Sequence, residues 1–202
     1  MAVDAVNHHA DHPGFAGMTG LLIGLIMSLA GGAAARLAAD VAAVSDGDRV
    51  IDVGCGPGTA VREAARRGAR VTGVDPAPVM LRLARTLTVD RPTITWVPGA
   101  AEDLPEPDAS ATVVWSLACV HHWKDVAAGL AEIKRVLGPG GRFLAIERLV
   151  RSGATGLSSH GWTTPQADSF AAQCLAAGLV DARVEHHTPG RRALVVVRAV
   201  RP

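Results

Sequence analysis

Val50-Ile51-Asp52-Val53-Gly54-Cys55-Gly56-Pro57-Gly58-Thr59 joins an apolar run directly to a glycine-rich turn, and its reading decides the fold. Arg49 to Val53 has the β-branched character of a buried strand. Gly54, Gly56 and Gly58 then let the backbone turn sharply and approach a ligand more closely than any Cβ would permit. A helix is expected to start near Thr59. At the carboxyl end of a central parallel strand, such a loop opens onto the crevice where doubly wound sheets bind nucleotides.

Working outward, strand and helix signals alternate, which argues for an α/β sheet. Leu37 to Val44 reads as a helix leading to the first strand. Ala60 to Arg67 is a short helix closed by Gly68, and Arg70 to Val74 a second strand. Pro78 to Leu87 carries Met80, Leu83, Ala84 and Leu87 at helical spacing, a core-facing stripe. Thr93 to Val97 and Ala111 to Leu117 are the third and fourth strands. Asp125 to Leu137 is a helix, which Gly138-Pro139-Gly140-Gly141 is expected to stop before a fifth strand, Arg142 to Glu147. Thr164 is the expected N-cap of the next helix, with Pro165 in its first turn and Gly178 closing it. Two last strands, near Asp181 to His187 and Arg191 to Val200, are joined by Thr188-Pro189-Gly190, a link short enough only for an antiparallel hairpin. The expected architecture is one α/β domain: a doubly wound, mostly parallel seven-stranded sheet with an antiparallel C-terminal strand.

Bulk properties narrow the partners. The chain has 202 residues, is 49% apolar and carries a formal charge of +1. That size can bury one substantial core, and the interspersed charges give no footprint for a nucleic-acid backbone. Cys55, Cys119 and Cys174 are odd in number and far apart, which argues against a disulfide framework and for a reducing, cytoplasmic setting. Pro13 to Ala35 contains no charged residue. Its strongly apolar part is shorter than the roughly 20 residues that cross a bilayer. It is read as part of an N-terminal lid, 1–35, ahead of the catalytic domain, 36–202, with Phe15 and Met18 shielding the site from water and weak membrane-surface contact as a second use.

The second anchor of the chemistry is Asp75, ending the second strand beside the glycine loop, where a carboxylate can accept hydrogen bonds from both hydroxyls of a ribose. A dinucleotide binder and a methyltransferase both use such an acid. Gly-x-Gly-x-x-Gly is the usual pyrophosphate pattern, whereas here the spacing is Gly-x-Gly-x-Gly. Asp52 would repel a pyrophosphate and attract a ligand that carries an amino group and a sulfonium. A nicotinamide-dependent oxidoreductase and a non-catalytic nucleotide-fold or membrane-surface adaptor are the alternatives.

These residues resemble the class I S-adenosylmethionine-dependent methyltransferases, with their Rossmann-like fold, and among them the small-molecule branch that includes the ubiquinone and menaquinone C-methyltransferases. The resemblance runs from about Arg36 to Ile146. It rests on Asp52 to Gly58, Asp75, the segment Gly99-Ala100-Ala101-Glu102-Asp103-Leu104-Pro105, Ser116 to Trp123, and Arg135 to Gly141. It implies that Asp52, Gly54, Cys55, Gly56 and Gly58 border the donor's methionine and ribose, and that Asp75 holds the ribose. It further implies that Pro76, Ala101 and Glu102 surround the adenine, and that Ser116 and Leu117 lie near the methionyl part. Ala100 stands where the family often has Asp or Asn, so another group must meet the adenine amino group. The implied acceptor is a small, apolar or aromatic molecule.

Methyl transfer needs alignment of donor and acceptor and, for a protonated acceptor, a base. His121 and His122 after the fourth strand, and His160 in Ser159-His160-Gly161-Trp162, are the candidate bases, since an imidazole titrates near neutral pH. Glu147 and Arg148, leaving the fifth strand, are candidates to orient a polar acceptor. His8, His9, His12, His186 and His187 raise a metal reading. Adjacent histidines rarely present both rings to one ion, and no cysteine or paired carboxylate accompanies them, so no metal is expected.

Overall fold

The computed structural model describes residues 5–10, 31–89, 91–190 and 192–202. Most of the uncharged N-terminal segment, with Phe15 and Met18, lies outside the described residues, as does His12. No helix among the described residues is long and apolar enough to cross a membrane.

From α1 (Gly32–Val41) the chain passes through β1 (Arg49–Val53), α2 (Thr59–Arg66), β2 (Arg70–Asp75), α3 (Pro78–Leu87), β3 (Ile94–Pro98) and β4 (Ala111–Leu117). It continues through α4 (Val126–Val136), β5 (Leu137–Arg148), α5 (Thr164–Ala176), β6 (Val180–His187) and β7 (Leu194–Val200). The seven strands form one sheet in the order β3-β2-β1-β4-β5-β7-β6. β7 runs antiparallel to both neighbours, and the other described pairings are parallel. The order reverses between β1 and β4, so the loops leaving these two strands diverge and open a crevice at their carboxyl ends.

Period-2 alternation along the strands divides the core between the two faces. Val113, Trp115, Leu144 and Ile146 pack with Ala38, Ala39, Val61 and Ala64 of α1 and α2. Val114, Phe143 and Ala145 turn the other way, toward Leu130 and Ile133 of α4 and Phe170 of α5. Alanines dominate α1 and α2, which lets these helices lie close to the sheet. On α3, Met80, Leu83 and Ala84 are buried as the stripe predicts, while Leu87 at the helix end is exposed.

Several boundaries differ from the sequence expectation. α1 begins at Gly32 and ends at Val41, earlier than the Leu37 to Val44 reading. The Gly138 to Gly141 stretch lies within β5, where the sequence suggested a break. Its backbone finds partners far along the chain: the Gly140 N–H donates to the Arg201 carbonyl and the Arg201 N–H to the Gly141 carbonyl, each at 2.9 Å. The N-cap of α5 is Thr163, one residue before the expected Thr164. Thr163 Oγ1 accepts from the Gln166 N–H, and Gln166 Oε1 accepts from the Thr163 N–H, a reciprocal capping box.

Candidate active site

The glycine loop leaves β1 under steric demands that explain its composition. Gly54 has φ +73°, and a Cβ on it would meet Cys119 Sγ at 2.0 Å. Gly58 has φ +79°, and its Cβ would lie 2.2 Å from the Trp96 ring on β3. The last glycine therefore serves the packing of the α2 start against a tryptophan, and the first lets the loop pass the β4 exit.

Asp75 ties this loop to β2. Its Oδ2 accepts from the Gly56 N–H and its Oδ1 from the Ala77 N–H, both at 2.8 Å. Burial raises its pKa from the usual carboxylate value, against the lowering effect of the two N–H donors. Asp52 is deeper still, 2% exposed. Burial, reinforced by the neighbouring charge of Asp75, pushes its carboxyl up to about 7.

A cavity of about 510 Å³ opens beside this loop, within the range of small-molecule sites. Asp52, Gly54, Cys55 and Pro57 bound it on one side, Leu117, Ala118, Ile146, Glu147 and Arg148 on another. Ala33, Ala34 and Ala35 of α1 and Pro189, Gly190, Arg192 and Leu194 of the β6–β7 connection form further parts of its wall. The β6–β7 connection carried no sequence signal, because only the folded chain brings the hairpin to the β1 and β4 ends; Ala33, Ala34 and Ala35 fall in the segment 1–35 read as a lid. Ala118, which lines the cavity, has φ +51°, a strained conformation for a residue with a Cβ.

Among the residues expected around a donor, Gly54, Cys55, Asp52 and Leu117 line the cavity. Gly56 and Asp75 stand behind the loop as described, Pro76 is exposed just after β2, and Ser116 is fully buried at the β4 end. Ala101 is buried, and Glu102 Oε1 accepts from the backbone N–H groups of Lys124 and Asp125 at 2.7 and 3.1 Å. Glu102 thereby fixes the approach to α4.

The candidate bases are brought together, but none of them is among the described residues lining the cavity. His121 is 2% exposed, and its Nδ1 lies 2.9 Å from Glu147 Oε2. Glu147 reaches the cavity, so His121 meets it through that carboxylate. His122 and His160 are half-buried beside His121, with ring centroids 4.2 and 5.5 Å from it. Burial and the charge His121 would carry hold His122 down at about 4. The N-terminal turn joins this group: the His9 ring lies 4.3 Å from that of His160, and the His9 N–H donates to the His121 carbonyl at 2.9 Å. Trp162, part of the expected acceptor cluster, is fully buried and donates from Nε1 to the Val6 carbonyl at 2.8 Å, anchoring that turn. His186 and His187 lie elsewhere, beside Thr164 and Glu185.

A glycine loop, a β2 acid and a cavity at the switch point of this strand order form a Rossmann-like site. Residues 51–145 match the family model described as a methyltransferase domain. The chain is 38% identical over 112 residues to a demethylmenaquinone methyltransferase of Tropheryma whipplei, covering 55% of this chain and 46% of the relative. It therefore spans about half the length of the curated relatives it matches. The same fold occurs in the Haloferax volcanii protein solved with the Trm112 methyltransferase activator, with a TM-score of 0.75 at 22% identity over the whole of both chains. It also occurs in Haemonchus contortus phosphoethanolamine N-methyltransferase 2, solved with S-adenosyl-L-methionine, with a TM-score of 0.75 at 19% identity over 99% of this chain and 60% of that one.

Proposed function

We propose that the protein is an S-adenosylmethionine-dependent methyltransferase that alkylates a small, apolar or aromatic acceptor. The observation that carries this reading is Asp52: a nearly fully buried carboxylate on the cavity wall, held up near 7, is a group that gains from a cationic ligand. The donor carries an ammonium and a sulfonium, and the residues present fit it.

When bound, the donor supplies an electrophilic methyl: the acceptor's lone pair takes the carbon as the carbon–sulfur bond breaks, and the sulfur leaves as a neutral thioether. The chain's part is to orient and to exclude water. Asp52 would face the donor's cationic end. Asp75 keeps lone pairs beyond its two backbone bonds, and these would take the ribose hydroxyls. Pro76, Ala101 and Glu102 would border the adenine. Ala33, Ala34, Leu117, Ile146 and Leu194 give the cavity an apolar wall suited to a quinol-like or other aromatic acceptor. The Tropheryma whipplei relative's name points the same way. Glu147, on that wall with no partner for Oε1 among the described residues, would take the acceptor's polar group, with His121 positioning it from behind. This moves the proton-accepting role expected of His121, His122 and His160 one side chain closer to the cavity. Segment 1–35 would act as the lid, fastened by the turn at 5–10, and the three unpaired cysteines fit a reducing, cytoplasmic setting.

The test is transfer of labelled methyl from the donor to a panel of phenols, quinols and thiols. Label in at least one aromatic acceptor, lost when Asp52 and Asp75 are replaced, is the expected result. A folded chain that binds the donor and labels none of them would reject the acceptor class.

A further inference from the structure

We propose that one ring nitrogen from each of His121, His122 and His160 binds a divalent transition-metal ion of the zinc type. The three donor atoms lie within 4.8 Å of one another. Zinc–nitrogen bonds of about 2.0–2.1 Å in a tetrahedron space their donors about 3.3 Å apart, so modest side-chain rotation closes the site. The donors come from the β4 exit and the β5–α5 connection, far apart in sequence, which is why the chain read as a string offered only the His121-His122 pair.

Two further observations point to a ligand. First, Nε2 of His121 is buried and has no hydrogen-bond partner among the described residues. A simple packed cluster of imidazoles leaves that lone pair wasted at a cost, whereas an ion uses it. Second, the Nδ1 contacts of two of the rings leave Nε2 for an ion. Glu147 Oε2 accepts from Nδ1 of His121 at 2.9 Å, which turns Nε2 into the ligating atom in a carboxylate–histidine–metal arrangement. His122 Nδ1 faces the His9 carbonyl at 3.4 Å, leaving its Nε2 for the same use. The His9 ring lies 4.3 Å from that of His160.

An all-imidazole set suits zinc, cobalt, nickel or copper, while magnesium and calcium prefer oxygen ligands. An ion here would tie the β4 exit to the β5–α5 connection and hold Glu147 in place at the cavity wall. The site stands apart from the methyl-donor reading, since it uses no residue assigned to the donor.

The full chain, stripped with a chelator, is titrated with zinc chloride by calorimetry, and separately with cobalt to read the visible absorption of a tetrahedral ion. One zinc per chain is expected, with a rise in Tm on binding. Glu147→Gln should weaken the affinity by about 10–100-fold, and His160→Ala, at a half-buried position, by roughly tenfold or more with the Tm rise abolished. His186→Ala/His187→Ala should bind as the wild type does, and magnesium should not compete. Absence of zinc binding by the folded wild type overturns the proposal. So does binding that survives both His160→Ala and Glu147→Gln, or that is lost in the His186/His187 variant.

Discussion

The Gly56 N–H donates to Oδ2 of Asp75 at 2.8 Å, so the acid that ends β2 holds the middle of the loop that follows β1. The second oxygen takes the Ala77 N–H at the same distance, which fixes the start of α3. One carboxylate thus sets the shape of two loops on neighbouring parallel strands. Replacing it removes a loop brace as well as a ligand contact. Asp75→Asn is the sharper variant: its amide keeps the size but offers only one acceptor for two N–H donors. It should therefore lose part of the affinity for S-adenosylhomocysteine while retaining the fold, as circular dichroism would show.

Asp52 gives the binding a pH dependence. Its carboxyl stands at about 7 in the folded chain against an ordinary value of 3.8. The folded state therefore holds a proton that the unfolded state releases, and stability of the ligand-free chain should fall as pH rises from about 4 to about 7. Ligand affinity should run the other way. An ammonium group favours the ionised carboxylate, so binding of S-adenosylhomocysteine should strengthen by up to about tenfold per pH unit below 7 and level off above it. Calorimetry across pH 5.5–8.5 checks the slope, and Asp52→Asn should flatten both profiles.

Gly54 has no room for a side chain. An alanine there takes a left-handed backbone, at about 1–2 kcal/mol, and drives its Cβ into Cys119 Sγ. Gly54→Ala should lower stability by more than the backbone term alone in urea melts. Cys119→Ala in the same chain should restore part of the difference, because it removes the sulfur but leaves φ as it is. Equal destabilisation with and without Cys119 would show that the contact is not what fixes this position.

Thr163 caps α5 and Gln166 completes the box. Thr163→Ala should cost about 1 kcal/mol, seen as a lower urea midpoint at unchanged slope, and Thr164→Ala should cost much less.

The strands were legible because their signals are local. β1 and β4 appear at their observed limits, since β-branched runs bounded by turn residues need no distant partner to be recognised. What failed depended on distance. Gly138 to Gly141 reads as a helix stop followed by a loop, and becomes strand only because residue 201 arrives to pair with it. At the start of α5, two adjacent threonines both suit an N-cap, and the glutamine three residues after Thr163 is the signal that chooses between them. The donor side of the site was readable as loop, spacing and acid. The histidine cluster was not, because His9, His121, His122 and His160 meet only after the N-terminal turn docks through Val6 and Trp162. For the same reason, nothing in the sequence marks the β6–β7 connection as cavity wall.

In the proposed function, the Asp52–Gly58 loop and Asp75 form a site for S-adenosylmethionine. Calorimetric titration of the full, folded chain with S-adenosylhomocysteine tests it most directly. One binding event per chain is expected, weakened about 10–100-fold by Asp75→Ala, as befits the loss of hydrogen bonds to a charged group. A folded wild-type chain that gives no binding heat at any temperature tried, or an Asp75→Ala variant that binds as tightly as the wild type, would contradict it.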